Sequence, residues 1–347
     1  MPGKAHTVIE ASERTDTFVP HRFQENLADL GEIRMNYATV GAAELPALLL
    51  IPGQTESWWG YEEALALLSE NFQAYAVDLR GQGRSTWTPG RYTLDNMGND
   101  LVRFIDIVIG RPTIISGLSS GGVLAAWLSA YAKPGQVRGA LWEDPPLFSS
   151  ETQPAFGPSV RQSIGALWAL YSKWLGDQWS IADWEGMQAA MPEELPEWVV
   201  TRFSATRQAR GGDPASGGAG AGPPQYLKEY DPEWGRAFWN GTVAASCDHA
   251  RMLASVKVPI LYTHHFHHVD QETGTLMGAA TDIQVAMARE LVSGNGQRFE
   301  YRSFPEMPHP MHAADPAVFV RTLTEWADTL PSPPDAPDAP DAPEASR

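Results

Sequence analysis

The sequence predicts an α/β protein, a mostly parallel sheet covered by helices on both faces and interrupted late by a helical insertion. Three observations carry this. Short continuous apolar runs alternate with segments of helical period; the alternation stops between about Leu147 and Ala245; and it resumes at VPILYTH and RFEYRSF. Unbroken apolar runs are what strands need when helices bury both of their faces, as in parallel sheets.

Taken in order, RFQENLADLGEIRMNYATV reads as two strands meeting near Gly31, and ALLLI and FQAYAVD as short buried strands. LDNMGNDLVRFIDIVIG has helical spacing and stops at a glycine. TIIS is again a buried strand, GGVLAAWLSAYAKPG a helix ended by Pro134 and Gly135, and VRGALWE a strand. The insertion carries Trp168, Trp174, Trp179, Trp184, Trp198, Trp234 and Trp239 on helix-like stretches separated by prolines. After it, DIQVAMARELVS and DPAVFVRTLTEWADTL follow the last strands as helices. The expected organisation is a core made of residues 1–146 and 246–330, a helical cap at 147–245 and a tail at 331–347. That tail repeats Asp-Ala-Pro and offers little to bury, so disorder is expected. The Gly-rich stretch 211–224 is expected to be a mobile loop.

With 347 residues, 43% of them hydrophobic, the chain can build a sizeable core. The single cysteine, Cys247, excludes an internal disulfide framework and is expected to be a buried, inert thiol. MPGKAHTVIEASERTDTF lacks an apolar run of signal-peptide length, and no run approaches the roughly 20 residues of a membrane span, so a soluble cytoplasmic protein is expected. A net charge of −17 opposes binding to nucleic acid or to anionic membrane surfaces.

Gly117, Leu118, Ser119, Ser120 and Gly121 spell GxSxG directly after a predicted strand and directly before a predicted helix. A tight strand-to-helix turn needs small residues at its flanks and lifts the central side chain to the carboxyl edge of the sheet, at a helix N-terminus. Ser119 is therefore the expected nucleophile, and the N–H of Ser120 one expected oxyanion donor. The base is expected after the last strand, in FPEMPHPMHAADP: His309 first, with His312 beside it as a supporting or pocket residue. The second oxyanion donor is expected from LLLIPGQTESWW, where Gly53 permits the turn and the backbone N–H of Gln54 donates. Gly53, Gln54, Trp58, Trp59, Leu118, His268 and His312 are candidate pocket residues, with core packing an equal reading for the two tryptophans.

On GLSSGG, VDLRGQGRS and PHPMHAADP, the chain resembles the α/β-hydrolase superfamily from about Phe23 to Leu330. The resemblance implies a sheet of about eight strands, a cap inserted after the sixth, and no cofactor. A serine at 119 resembles esterases, lactonases and C–C hydrolases; epoxide hydrolases and haloalkane dehalogenases would carry aspartate there.

The triad acid departs from the commonest pattern of that superfamily. Where most members place an aspartate after the strand that follows the cap, this chain has His268, with Asp270 two residues on. Some branches move the acid to the strand before the cap, and LWEDPPL resembles these. Asp144 is ranked first, with Asp270 and Glu143 as alternatives. The cluster His264, His265, His267 and His268 invites a metal reading, but alternate strand residues face opposite ways and no carboxylate or cysteine completes a recognisable spacing, so no metal is expected.

The tryptophan-rich cap suits a bulky aromatic substrate. GLSSGG, LWEDPP and THHFHHVDQETG together most resemble bacterial hydrolases of aromatic esters and lactones, zearalenone lactonases first and monoalkyl phthalate hydrolases next; members of such groups often form homodimers. Two readings of other classes stay open. A C–C bond hydrolase would need a positive group for its substrate's carboxylate, for which Arg161, Arg202, Arg207 and Arg210 are candidates. A non-catalytic ligand receptor would resist labelling by a fluorophosphonate.

Overall fold

The computed structural model describes residues 8–195, 197, 199–201 and 223–331. Most of the loop expected at 211–224 and nearly all of the tail expected at 331–347 lie outside these residues, as do Trp198, Arg202, Arg207 and Arg210.

Eight strands form one sheet: β1 (Glu25–Asp29), β2 (Arg34–Val40), β3 (Ala47–Ile51), β4 (Gln73–Val77), β5 (Thr113–Leu118), β6 (Val137–Glu143), β7 (Ile260–His264) and β10 (Phe299–Ser303). Their spatial order is β1-β2-β4-β3-β5-β6-β7-β10. Only the β1–β2 and β2–β4 pairings are antiparallel; the other five are parallel. The expected strands are all present. A two-stranded hairpin, β8 (His268–Val269) with β9 (Leu276–Met277), was not foreseen, because its strands are too short to show a period.

The central strands β3, β5 and β7 are buried at every residue, as their apolar runs require. Helices α1 (Glu62–Leu68), α2 (Leu94–Phe104) and α3 (Ser120–Tyr131) cover them. Leu49, Ile51 and Ile115 face one core cluster, whereas Leu48, Leu50 and Ile114 face the other, which is the two-residue alternation of a strand read on both sides. Between β6 and β7 the regular elements are helical, among them α4 (Arg161–Leu175), α5 (Trp184–Glu194) and Pro232–Trp239. No helix among the described residues is long and apolar enough to cross a membrane. Cys247 is buried, and burial pushes its thiol up to about 12, so it stays protonated.

The loop after β4 is fixed from below by a buried charge pair. Arg80, 1% exposed, donates from Nε and Nη2 to the two carboxylate oxygens of Asp100 on α2, at 2.6 and 2.7 Å. A guanidinium–carboxylate fork of this kind holds both partners in one plane. Removing the sole partner of a buried charge costs about 3–5 kcal/mol, and because Arg80 also donates from Nη2 to Glu32 at 3.0 Å the loss here falls at the lower end of that range. Asp100→Ala is therefore expected to lose stability in that range in urea denaturation, and a change below about 1 kcal/mol would contradict the role given to the pair.

Candidate active site

The turn at Ser119 is set by close packing. β5 ends at Leu118 and α3 begins at Ser120, leaving Ser119 at φ 54° and ψ −118°, a region few non-glycine residues occupy. Its N–H donates to the carbonyl of Glu143 at 2.9 Å, and its own carbonyl accepts the N–H of Val123 at 3.0 Å. A Cβ on Gly117 would lie 2.1 Å from the carbonyl oxygen of Gly121, and one on Gly121 only 2.4 Å from that of Ile51, so the turn can form only with both glycines.

His309 lies in the loop between β10 and the short helix Met311–Ala314. Its Nδ1–H donates to Oδ2 of Asp144 at 2.6 Å. Asp144 directly follows β6, at φ 43°, and is 1% exposed. Its N–H donates to the Thr263 carbonyl at 2.9 Å, and its Oδ1 accepts the N–H of His265 at 3.2 Å. Burial alone would raise its pKa, but the charge of the neighbouring His265 and the contact with His309 outweigh burial and hold it at about 2. His265 also donates from Nδ1 to the carbonyl of His309 at 2.8 Å, so one residue of the histidine cluster ties acid and histidine together.

The two alternative acids are placed elsewhere. Glu143, on the opposite face of the same strand end, accepts the backbone N–H of His312 at 3.0 Å and meets its Nδ1 at 3.0 Å. Despite complete burial, the charge of His312 keeps Glu143 below the usual glutamate range. His312 in turn stacks on Tyr61 with ring centroids 3.9 Å apart. Asp270 caps the exposed β8–β9 turn, its Oδ1 accepting from the N–H and Oγ1 of Thr273 at 2.7 and 2.8 Å. Neither carboxylate meets His309.

Ser119, Ser120, Gln54 and His309 line one cavity of about 450 Å³, together with Gly53 and Leu118. Among the described residues the N–H groups of Gln54 and Ser120 have no protein acceptor. The rest of the wall comes largely from the helical insertion, including Trp168, Tyr171, Trp184, Met191, Tyr226 and Phe238. Sequence reading reached these only as a Trp-rich segment, because nothing local tells a lining tryptophan from a core one. No lysine or arginine among the described residues lines the cavity, whereas Glu56 does.

Four expected pocket residues do not line it. Trp58 is fully buried in the core, donating from Nε1 to Glu25 and from its backbone N–H to Asp78. Trp59 donates to Glu229 and stacks on His21. His268 is exposed on β8, and His312 is drawn behind the site by Glu143. The histidine cluster does gain a carboxylate that its spacing could not reveal: Asp282, from the helix Asp282–Gly294, lies 3.2 Å from Nε2 of His267 and 3.8 Å from Nδ1 of His264. The two imidazoles are stacked 3.7 Å apart at 12°, so their in-plane lone pairs run side by side instead of converging as ligands to one ion must.

Comparison with known proteins gives the same outline. Residues 46–167 match the family described as alpha/beta hydrolase fold. Over 102 residues the chain is 29% identical to 3-oxoadipate enol-lactonase 2 of Acinetobacter baylyi, covering 29% of this chain and 38% of that one. It is 30% identical over 121 residues to bifunctional epoxide hydrolase 2 of Sus scrofa, covering 34% and 21%. The matches thus span well under half the length of these curated relatives. Among solved structures, an enol-lactonase from Burkholderia xenovorans LB400 superposes with a TM-score of 0.62 at 17% identity, covering 87% of this chain and all of that one. An esterase from Rhodococcus sp. ECU1013 gives 0.62 at 20% identity, covering 89% and 99%. Sheet order, the turn at Ser119 and these matches agree: the chain has the α/β-hydrolase fold.

Proposed function

We propose that the chain is a serine hydrolase of carboxylic esters or lactones, acting on a bulky, uncharged aromatic substrate, with zearalenone-type macrolactone opening as the specific reading. The observation that carries the chemistry is the Asp144–His309 hydrogen bond at the edge of the cavity that Ser119 also lines. With Nδ1 committed to the carboxylate, the Nε2 of His309 is left to act as base. It takes the Ser119 proton as Oγ attacks the carbonyl, and the N–H groups of Gln54 and Ser120 receive the oxyanion. His309 then protonates the leaving alcohol and activates the water that frees Ser119. In a macrolactone the leaving alcohol stays attached, so the product is a single ring-opened hydroxy acid.

The cavity wall supports the substrate reading. Large apolar rings favour an aromatic body. A monoalkyl phthalate or a C–C hydrolase substrate brings a carboxylate, and burying that charge beside Glu56 with no described cation on the wall would be costly. Arg161, one candidate for that role, is engaged at the Trp239 carbonyl instead. Phthalate monoester hydrolysis remains the second reading on sequence resemblance alone.

Ser119→Ala is expected to abolish turnover while Ser120→Ala keeps substantial activity, because Ser120 contributes its backbone; the reverse result in an ester-hydrolysis assay would move the nucleophile. Asp144→Asn should lower kcat by about 10⁴, as loss of a triad aspartate does, and a near-normal rate would remove Asp144 from the mechanism. For the substrate, wild type and Ser119→Ala are incubated separately with zearalenone and with a monoalkyl phthalate. Ring-opened product from the wild type alone, read by mass spectrometry, supports the macrolactone reading, and phthalate release alone overturns it. An unlabelled Ser119 after exposure to a fluorophosphonate would favour a receptor.

A further inference from the structure

The proposed oxyanion donor Gln54 belongs to a peptide group that is held from outside its own loop. Gln82, in the loop after β4 and 1% exposed, donates from Nε2 to the carbonyl of Gly53 at 2.8 Å, across 29 positions of sequence. That carbonyl and the N–H of Gln54 are the two ends of one peptide unit. Among the described residues no peptide bond is cis, so the two groups point in opposite directions. Fixing the carbonyl toward the β4 loop therefore turns the N–H the other way, toward the cavity that Gln54 shares with Ser119 and Ser120.

The tether has work to do because this peptide is intrinsically free to turn. Gly53 carries no Cβ to restrict its ψ, and the following Thr55 is already at φ 66°. Within the loop, Gly53 is held only by Glu56: its carbonyl accepts the Glu56 N–H at 3.2 Å, and its N–H meets the Glu56 carboxylate at 3.3 Å. The bond from Gln82 is the shorter one to that carbonyl. It also polarises the amide, which makes its N–H a better donor.

Gln82 cannot easily point elsewhere. Its own backbone is pinned by N–H donation to Leu79 and by a bridge to Tyr230. Among the described residues its buried Oε1 has no hydrogen-bond partner, so the bond to Gly53 is what holds the side-chain amide. On the far side of the same peptide, the Gln54 side chain donates to the hydroxyl of Tyr230 at 2.9 Å. Core and helical insertion thus grip residues 53 and 54 from two directions.

We propose that Gln82 is a positioning residue for the oxyanion hole, orienting the Gln54 N–H through the Gly53 carbonyl. The inference rests on the serine-hydrolase reading above and is tested so that the two can fail separately. The probes are a fluorophosphonate, with the labelled residue identified by mass spectrometry, and p-nitrophenyl acetate. In Gln82→Leu, which keeps bulk but cannot donate, phosphonylation of Ser119 and kcat should both fall about 10-fold, less than the 10²–10³ expected when a donor is lost outright. KM and melting temperature should stay near wild type. Gln82→His, whose ring N–H reaches about as far, should restore most of the rate. Where Gln82→Leu does not fold, Gln82→Met takes its place, since its thioether side chain has about the same length and no hydrogen to give. Wild-type labelling at Ser119 with equally fast labelling of the donor-less variant overturns the role of Gln82 and leaves the hydrolase reading intact. A rate loss that Gln82→His fails to restore assigns Gln82 a structural role and overturns the proposal. Failure of the wild type to label at Ser119 removes the hydrolase reading, and the proposal with it.

Discussion

Two carboxylates buried side by side at the end of β6 are the constraint around which the site is arranged. Glu143 and Asp144 are 0% and 1% exposed, and neither could remain ionised there without a compensating partner. Glu143 ends the strand and Asp144 follows it at φ 43°, and their side chains meet different partners, so one histidine does not serve both. The chain answers with two histidines three positions apart, one in the loop after β10 and one in the short helix that follows: His309 takes Asp144 and His312 takes Glu143. That spacing fixes the loop after β10 in two places on either side of the strand end. The Glu143–His312 pair is thus the structural half of an arrangement whose other half faces the cavity.

The same strand end also sets the turn at Ser119. The carbonyl of Glu143 receives the N–H of Ser119, and β6 pairs with β5 through Leu118 and Glu143. Acid, serine turn and histidine loop are therefore referenced to a single register. The proposed oxyanion donors are referenced differently, through loops after β3 and β4, where a side chain from one loop meets a peptide of the other. A rigid parallel sheet brings these loops to one edge, and the final alignment is left to a few hydrogen bonds between them.

Much of this was legible in the sequence, for identifiable reasons. GxSxG between a strand and a helix has a steric explanation that leaves Ser119 little choice, and the fully buried strands announced themselves as apolar runs. The acid stayed open because Glu143 and Asp144 are adjacent, and only the turn that ends β6, with Asp144 at φ 43°, decides which of them meets His309. Trp58 and Trp59 were ambiguous because indoles serve cores and pockets alike. Asp282 and Gln82 were invisible: each acts across a distance in sequence, the first beside histidines 15 or more positions away and the second on a carbonyl 29 positions away. Local pattern carries no signal for such contacts.

The buried acids also show what separates the carboxylate proposed for the triad from a structural one. Asp78 has three good donors, the N–H groups of Trp58 and Arg84 and the side-chain amide of Asn36, at 2.7–2.9 Å. Burial nevertheless dominates and pushes it up to about 7. Asp144 is equally buried but is held at about 2 by the histidines around it. The linkage signs are opposite. Asp144, depressed in the folded state, adds stability above the ordinary carboxylate range of about 3.9 that is lost as the pH falls through 2. Asp78, raised in the folded state, favours folding most when it is protonated, and that contribution fades as the pH climbs from about 4 toward 7. Neutral donors can order a buried carboxylate without keeping its charge. The histidines around Asp144 offset its burial where the neutral donors around Asp78 do not, and in the proposed reaction an imidazolium formed on His309 would need that carboxylate beside it. In this fold His265 after β7 and His309 after β10 stand beside Asp144 at the end of β6, next to the cavity, whereas Asp78 is held by the neutral donors of its own surroundings.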